Sequence, residues 1–237
     1  MSALFEELDY RPTPIGALSL RRRRDLRDGG DVFEIKLGDE FLMSSLFTAS
    51  EIALARLGLT ALAGDRFDVV IGGLGLGYTA KAVLEHPQVA SLMVIEALEP
   101  VIDWHRQGLV PLGPALTADA RCKFVQGDFF AMAASATGFD AGKPGRRFDA
   151  VLVDIDHSPE ALLDARSAAF YGVEGLRRLA AHLKPGGVFG LWSNDRADNT
   201  FLARLAKVFA TTRAEPVTFH NPLQDKPFTQ TVYLATT

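Results

Sequence analysis

At 237 residues the chain can bury one sizeable core with a small appendage, but not two full domains. Hydrophobic residues at 48%, charged residues at 23% and a formal charge of −4 suit a soluble globular enzyme and exclude a general nucleic-acid or anionic-membrane binder. The single cysteine, Cys122, excludes an internal disulfide framework and a cysteine-based zinc cage; its setting, Cys122-Lys123-Phe124-Val125, reads as a strand with a core thiol.

Met1 to Asp9 is acidic and lacks a long apolar stretch, so neither signal peptide nor anchor is expected, and no run reaches the length of a membrane span. A cytoplasmic protein without membrane or nucleic-acid partners is the expectation. Residues 1–47 form the first unit. Ile15 to Leu20, Val32 to Leu37 and Phe41 to Met43 are short and β-like, separated by Asp28-Gly29-Gly30-Asp31 and Gly38-Asp39-Glu40, which predicts a small antiparallel appendage. The dense charge run Arg21 to Arg24 reads as a solvated strand edge, since Asp25 and Asp28 lie close by; an anion-binding patch is the alternative.

The main unit spans 48–237 and opens with a helix over 48–62, capped by Thr48 or Ser50, with Ile52, Ala55, Leu59 and Leu62 on one stripe. Strands are predicted at 67–72, 91–96, 122–126, 148–153 and 187–192, and helices at 78–85, 99–106, 160–164, 172–183 and 198–210. Alternation of this kind implies a doubly wound parallel sheet with helices on both faces. Two further β-like stretches, 214–220 and 229–235, follow without a helix between them. They should pair as a hairpin, giving a mostly parallel seven-stranded sheet that ends in an antiparallel strand.

The densest signal is Asp68-Val69-Val70-Ile71 followed by Gly72, Gly73, Gly75 and Gly77. A buried parallel strand runs into a turn that needs positive φ and close backbone approach to a ligand, and the next helix aims its first amides there. Glu96 ends the second strand about 20 residues on, where an acid hydrogen-bonds a ribose hydroxyl pair. The turn and the acid suit either a nicotinamide dinucleotide or an adenosyl sulfonium compound. A dinucleotide fingerprint requires a small residue where Tyr78 stands, which favours the sulfonium class. Ligands of such sheets bind beyond the carboxyl ends of the strands, and polar residues crowd there: Gln126-Gly127-Asp128, Asp154-Ile155-Asp156-His157 and Ser193-Asn194-Asp195.

The order of these motifs resembles class I S-adenosylmethionine-dependent methyltransferases and, within that Rossmann-like fold, the spermidine synthase family. The matching pieces are Ile71-Gly72-Gly73, Val94-Ile95-Glu96, Gly127-Asp128, Phe148 to Asp154, Phe170-Tyr171 and Leu183 to Val188, with Gly38-Asp39-Glu40-Phe41 similar to the family's Asp-Glu-Phe segment. The resemblance implies cofactor contacts from the four loop glycines and ribose binding by Glu96. It further implies that Asp128 holds the adenine amino group, that Gly127 leaves room for the ring, and that Asp154 sits beside the transferring carbon. It also implies a homodimer, because such appendages pair subunits in that family. Lys184-Pro185-Gly186-Gly187 reads as a helix stop and turn, and Pro159 as the first residue of the following helix.

Departures from the family pattern point to the transferred group. Spermidine synthases carry an aspartate in the first loop that holds the free amine of decarboxylated S-adenosylmethionine, and this chain has Gly75 there. Without that acid, intact S-adenosylmethionine is the expected cofactor, and methyl transfer to a small-molecule acceptor the expected reaction. Aminopropyl transfer from decarboxylated S-adenosylmethionine to a diamine is the alternative, and a non-catalytic adenosyl-nucleoside-binding protein a further one. Asp154, Asp156 and His157 are the candidate catalytic residues, His157 because histidine as a residue type is the natural base near neutral pH. Asp154 with Asn194 and Asp195 also resembles the ligand set of magnesium-dependent O-methyltransferases, so a metal reading stays open; Asn194 and Asp195 equally suit a cap for the helix at 198–210.

Overall fold

The computed structural model describes residues 4–237; of the segment Met1–Asp9, for which no signal peptide is expected, Met1 to Ala3 lie outside the described residues. Two sheets are present. A four-stranded antiparallel meander is built from β1 (Phe5–Thr13), β2 (Gly16–Arg24), β3 (Asp31–Leu37) and β4 (Glu40–Ser44) in the order β1-β2-β3-β4. Helix α1 (Ala49–Thr60) then leads into β5 (Phe67–Gly72), α2 (Tyr78–Leu84), β6 (Val89–Glu96), α3 (Glu99–Arg106), α4 (Gly113–Ala118), β7 (Cys122–Gln126) and α5 (Phe129–Ala134). After these come β8 (Phe148–Val153), a 3₁₀ segment (Ala165–Tyr171), α6 (Val173–Ala180), β9 (Leu183–Ser193), α7 (Asn199–Leu205), β10 (Thr211–Asn221) and β11 (Lys226–Thr236).

The second sheet has the order β10-β11-β9-β8-β5-β6-β7. Every neighbour from β9 to β7 is parallel, and β11 runs antiparallel to both β9 and β10. The mostly parallel seven-stranded sheet and the separate N-terminal β sheet expected from the sequence are therefore both present. The antiparallel strand is not at the edge, however: β11 inserts between β9 and β10. Its sequence explains this, since Val232 to Ala235 is apolar on both faces and completely buried, whereas β10 alternates and can face water.

Successive side chains of a strand point to opposite faces, and the core divides accordingly. Val69, Ile71, Leu92, Val94, Ala150 and Leu152 pack with α1, α2 and the meander's Leu18, Leu20 and Ile35. Val70, Met93, Ile95, Val151, Val153 and Phe189 pack with α5, α6 and α7. Helix α1 comes so close to the sheet that a Cβ on Gly58 would stand 2.7 Å from Leu152.

Several expectations need correction. Strand β1 was not foreseen, because its sequence carries Glu6, Glu7, Asp9 and Pro12. Those acids explain the arginine run: β2 is an internal strand, not an edge, and Arg21 and Arg22 pair with Glu7 and Glu6 while Arg23 and Arg24 pair with Glu34 and Asp31. The predicted helix at 160–164 is absent. Pro159 begins no helix there; Ser158 and Ala161 close a bridge, and the 3₁₀ segment starts only after Asp164, whose carboxylate accepts from the Arg166 amide. The Lys184-Pro185-Gly186-Gly187 stretch lies inside β9, where Gly186 at φ 76° accompanies a slip in the β8–β9 register. Asp198, rather than Asn194 or Asp195, caps α7. Ser50 caps nothing and is buried in the site described next.

Candidate active site

Strand order reverses between β5 and β8, so the loops that leave these two strands diverge over a crevice. A cavity of about 1320 Å³ opens there, bounded by the ends of β5 to β9, by β4 and by the start of α1. Gly73 and Gly75 line it. Gly73 has φ 94°, and a Cβ on it would stand 2.1 Å from the Asp154 carbonyl oxygen; only a glycine lets the two loops meet. Gly75 (φ 49°) has its carbonyl held by His105 Nε2 at 2.9 Å, and burial pushes the His105 pKa down, so a neutral ring donates this bond. Gly72 and Gly77 do not line the cavity. A Cβ on Gly72 would strike Phe129, and one on Gly77 would strike Leu116 and His105, so both glycines serve packing.

The Glu96 carboxylate accepts from the Leu74 amide through Oε2 (2.9 Å) and from the Leu98 amide through Oε1 (2.8 Å). Each oxygen keeps one lone pair, which suits a vicinal pair of hydroxyls. Burial raises the Glu96 pKa and the amides oppose the rise. Asp128 caps α5, its Oδ1 accepting from the Phe130 and Ala131 amides, which leaves Oδ2 outside the cap; Asp128, Gly127 and Phe130 all line the cavity. Asp154 Oδ2 accepts from Thr79 Oγ1 at 2.7 Å; burial lifts its pKa to about 6 and this bond pulls it back.

The other two candidates at this strand end differ in their surroundings. Asp156 is buried and accepts from the Leu163 amide, Ser167 Oγ and the Tyr171 hydroxyl, at 2.7, 3.1 and 2.8 Å. These donors make it the pin of the 156–171 loop. His157 lines the cavity wall and its Nε2 meets Glu40 Oε1 at 2.8 Å, so the Gly38-Asp39-Glu40-Phe41 turn touches the site through this contact. Asn194 also lines the cavity, with its Oδ1 accepting from Gln230 Nε2, whereas Asp195 lies outside it. Among the described residues no group of three or more His, Cys, Asp or Glu side chains could hold a metal ion. The Cys122 thiol is half-buried and pushed up to about 12, chiefly by burial, which leaves it inert.

One acid of the site was not anticipated. Glu51, in the first turn of α1, is only 7% exposed and lines the cavity. Burial first, and the Asp154 charge second, raise its pKa to about 8. Ser50 Oγ stands 2.8 Å from Glu51 Oε2 and 2.5 Å from Gln230 Oε1, and accepts from Trp192 Nε1 at 2.9 Å. A hydroxyl carries one proton. With Ser50 donating to Gln230, its contact with Glu51 is completed by a proton on the Glu51 carboxyl. Among the described residues no basic side chain pairs with Glu51 or Asp154. Met43 completes this corner: its Sδ accepts from the Leu76 amide at 3.1 Å and would lie 2.7 Å from a Cβ on Gly75. Nothing in the sequence singled out Glu51, because an acid in a helix's first turn is ordinary.

A family model described as "Spermine/spermidine synthase domain" matches residues 49–222. Among solved structures the chain is similar to a spermidine synthase determined with the transition-state analogue AdoDATO (20% identity, TM-score 0.74, 97% of this chain and 73% of that one). It is also similar to the spermidine synthase of Thermotoga maritima (20%, TM-score 0.71, 97% and 72%) and to a probable spermidine synthase from Corynebacterium glutamicum (17%, TM-score 0.66, 96% and 79%). The family match overturns the expected methyl transfer to a small-molecule acceptor. That expectation rested on the missing acid at Gly75, and it did not count Glu51, a buried acid on α1 that lines the same cavity.

Proposed function

The chain belongs to the spermine/spermidine synthase family, and from this premise we propose that it transfers an aminopropyl group from decarboxylated S-adenosylmethionine to an amine. The observation that carries the reading is the Glu51–Asp154 pair, two acids that line the cavity with Gly73 and Gly75 and have no basic partner among the described residues. An ammonium entering that corner can pair with Asp154 and, once the Glu51 proton is displaced, with Glu51 too, whereas the carboxylate of intact S-adenosylmethionine gains neither pairing. Glu51, in the corner that Met43 shares with the loop, suits the ammonium of the donor. Asp154, at the switch point, suits the attacking amine.

The rest of the cavity is compatible with an adenosyl group. Glu96 offers two lone pairs to the ribose, Asp128 Oδ2 is available to the adenine amino group, and Gly73 and Gly75 let the backbone approach the sulfur-bearing chain. Asp154 accepts the proton that the acceptor ammonium must lose. The nitrogen lone pair then attacks the methylene carbon bonded to the sulfonium, the C–N bond forms as the C–S bond breaks, and the bonding electrons return to sulfur. The products are methylthioadenosine and a secondary ammonium. Asp156 acts at one remove, because its three donors fix the loop that follows Asp154.

Incubation with each donor and a panel of amines, followed by mass spectrometry of the nucleoside product, tests the reading. Methylthioadenosine formed only when donor and amine are both present is the expected result. S-adenosylhomocysteine from intact S-adenosylmethionine, with no turnover of the decarboxylated donor, would sink it.

A further inference from the structure

The loop between β5 and α2 meets the cavity at Gly73 and Gly75. Its amides find partners in turn: Gly73 on the Ile95 carbonyl, Leu74 on Glu96, Leu76 on Met43 Sδ and Gly77 on the Leu74 carbonyl. The Gly75 carbonyl is held by a side chain, His105 Nε2 at 2.9 Å. His105 lies on α3, is completely buried and does not itself line the cavity. Its ring is wedged behind the loop. Phe124 meets it edge-on with centroids 5.5 Å apart, and a Cβ on Gly77 would stand 2.8 Å from its Cε1.

Packing alone does not ask for an imidazole here. Its Nδ1 is buried without a hydrogen-bond partner among the described residues, a cost that a leucine of similar size would not carry. What the ring gains is the Gly75 bond, and that bond fixes more than one atom. The Gly75 carbonyl and the Leu76 amide belong to one trans peptide, in which they point in opposite directions. His105 takes the carbonyl and Met43 Sδ the amide, so the plane of the 75–76 peptide is held from both sides. Gly75, at φ 49°, has no Cβ to resist a rotation of that plane, and the resistance comes from the ring. A neutral imidazole carries one proton. The carbonyl only accepts, so the proton is on Nε2 and Nδ1 is a bare lone pair. Turning the peptide over would aim the Leu76 amide at the ring, which requires a bare Nε2 and a proton on Nδ1, where no acceptor waits. It would also set the carbonyl oxygen against the Met43 sulfur.

Resting on the aminopropyl-transfer reading, in which this loop faces the sulfur-bearing chain of the donor, we propose that His105 is a positioning residue: it touches no substrate and locks the 75–76 peptide in the orientation that donor binding requires. Three substitutions separate this role from packing. Gln sets its amide nitrogen close to where histidine carries Nε2, Asn sets its own near Nδ1, and Leu keeps the volume without a donor. Calorimetric titration of the decarboxylated donor should show His105→Leu and His105→Asn weakened about tenfold, roughly the worth of one neutral hydrogen bond, and His105→Gln within about twofold of wild type. In steady-state assays the loss should fall on the donor's KM, with kcat at saturating donor and the amine's KM unchanged. A histidine that only fills space gives the other order, Leu best and Gln and Asn worse, in melting temperature as in binding. That order, or full affinity in His105→Leu, overturns the proposal. ¹⁵N spectra of the ring in the free protein should show the Nε2–H tautomer at neutral pH, and the Nδ1–H tautomer overturns it as well. If wild type binds methylthioadenosine but forms none from the decarboxylated donor and any amine, the transfer reading falls, while the role of His105 is decided by the same order of variants read with methylthioadenosine.

Discussion

Replacing Glu51 with Gln removes a charge while keeping the shape of the side chain, and the structure fixes how large the effect should be. An ammonium paired with a buried carboxylate loses about 3 kcal/mol when the charge is removed. Glu51 starts from a disadvantage, since burial and the Asp154 charge hold its pKa near 8. At pH 7 it must first give up a proton, at about 1.4 kcal/mol for one pH unit. A net of about 1.6 kcal/mol remains, so Glu51→Gln should weaken binding of the decarboxylated donor roughly tenfold at pH 7. At pH 9 the proton is already gone from the wild type, and the ratio should widen to about a hundredfold. Calorimetric titration of the donor between pH 6.5 and 9 measures this, with methylthioadenosine, which lacks the ammonium, as the control ligand. A ratio that does not move with pH, or an equal loss for methylthioadenosine, would refute the assignment of Glu51 to the ammonium.

The same substitution should stabilise the free protein in alkali. A carboxyl whose folded pKa is raised favours folding below its unfolded pKa and loses that contribution as pH rises through the folded value. The melting temperature of Glu51→Gln should therefore match wild type near pH 5 and exceed it above pH 8. Asp154→Asn should preserve donor binding within a fewfold and lower kcat by about 10²–10⁴, as read from single-turnover rates; undiminished kcat would dismiss Asp154 as proton acceptor. Asp156→Ala strands the Leu163 amide, Ser167 and Tyr171 and should cost about 2–4 kcal/mol in urea unfolding, against a near-silent effect if the loop tolerates the loss. Gly75→Asp should depress donor binding through its collision with Met43 Sδ, and Met43→Ala added to it should restore affinity. Additive losses in the double variant would show that the two residues do not share that space.

The sheet was legible because its signals are local. Phe67 to Gly72 and Phe148 to Val153 are apolar runs that only a strand buried on both faces requires, and they pair as neighbours at the switch point. Strand β1 escaped because salt bridges across the meander, not apolar alternation, hold its acids. The loop after β8 was misread for a related reason. Pro159 is a fair helix-start signal, but Asp156 draws the Leu163 amide, Ser167 and Tyr171 onto itself, and that tertiary demand outweighs local preference.

Within the site, Glu96, Asp128 and Asp154 could be found from sequence because each ends a strand on the ligand-bearing edge. Glu51 could not, because an acid in a helix's first turn is ordinary and only the tertiary structure brings it to the cavity. The sign of charge that a substrate meets is a property of the cavity, not of any one loop. Gly75 read alone says the acid is lost. Met43's sulfur occupies the space a side chain at Gly75 would need, and under the proposed reading Glu51 on α1 takes over the role of the loop acid. A glycine at that position suits its φ of 49° and the Met43 sulfur packed against it, so its presence has a local explanation beside any role toward the donor. Under the proposed reading, an ammonium is favoured in this corner because it displaces the Glu51 proton and pairs with the carboxylate left behind, a gain no carboxylate ligand can make.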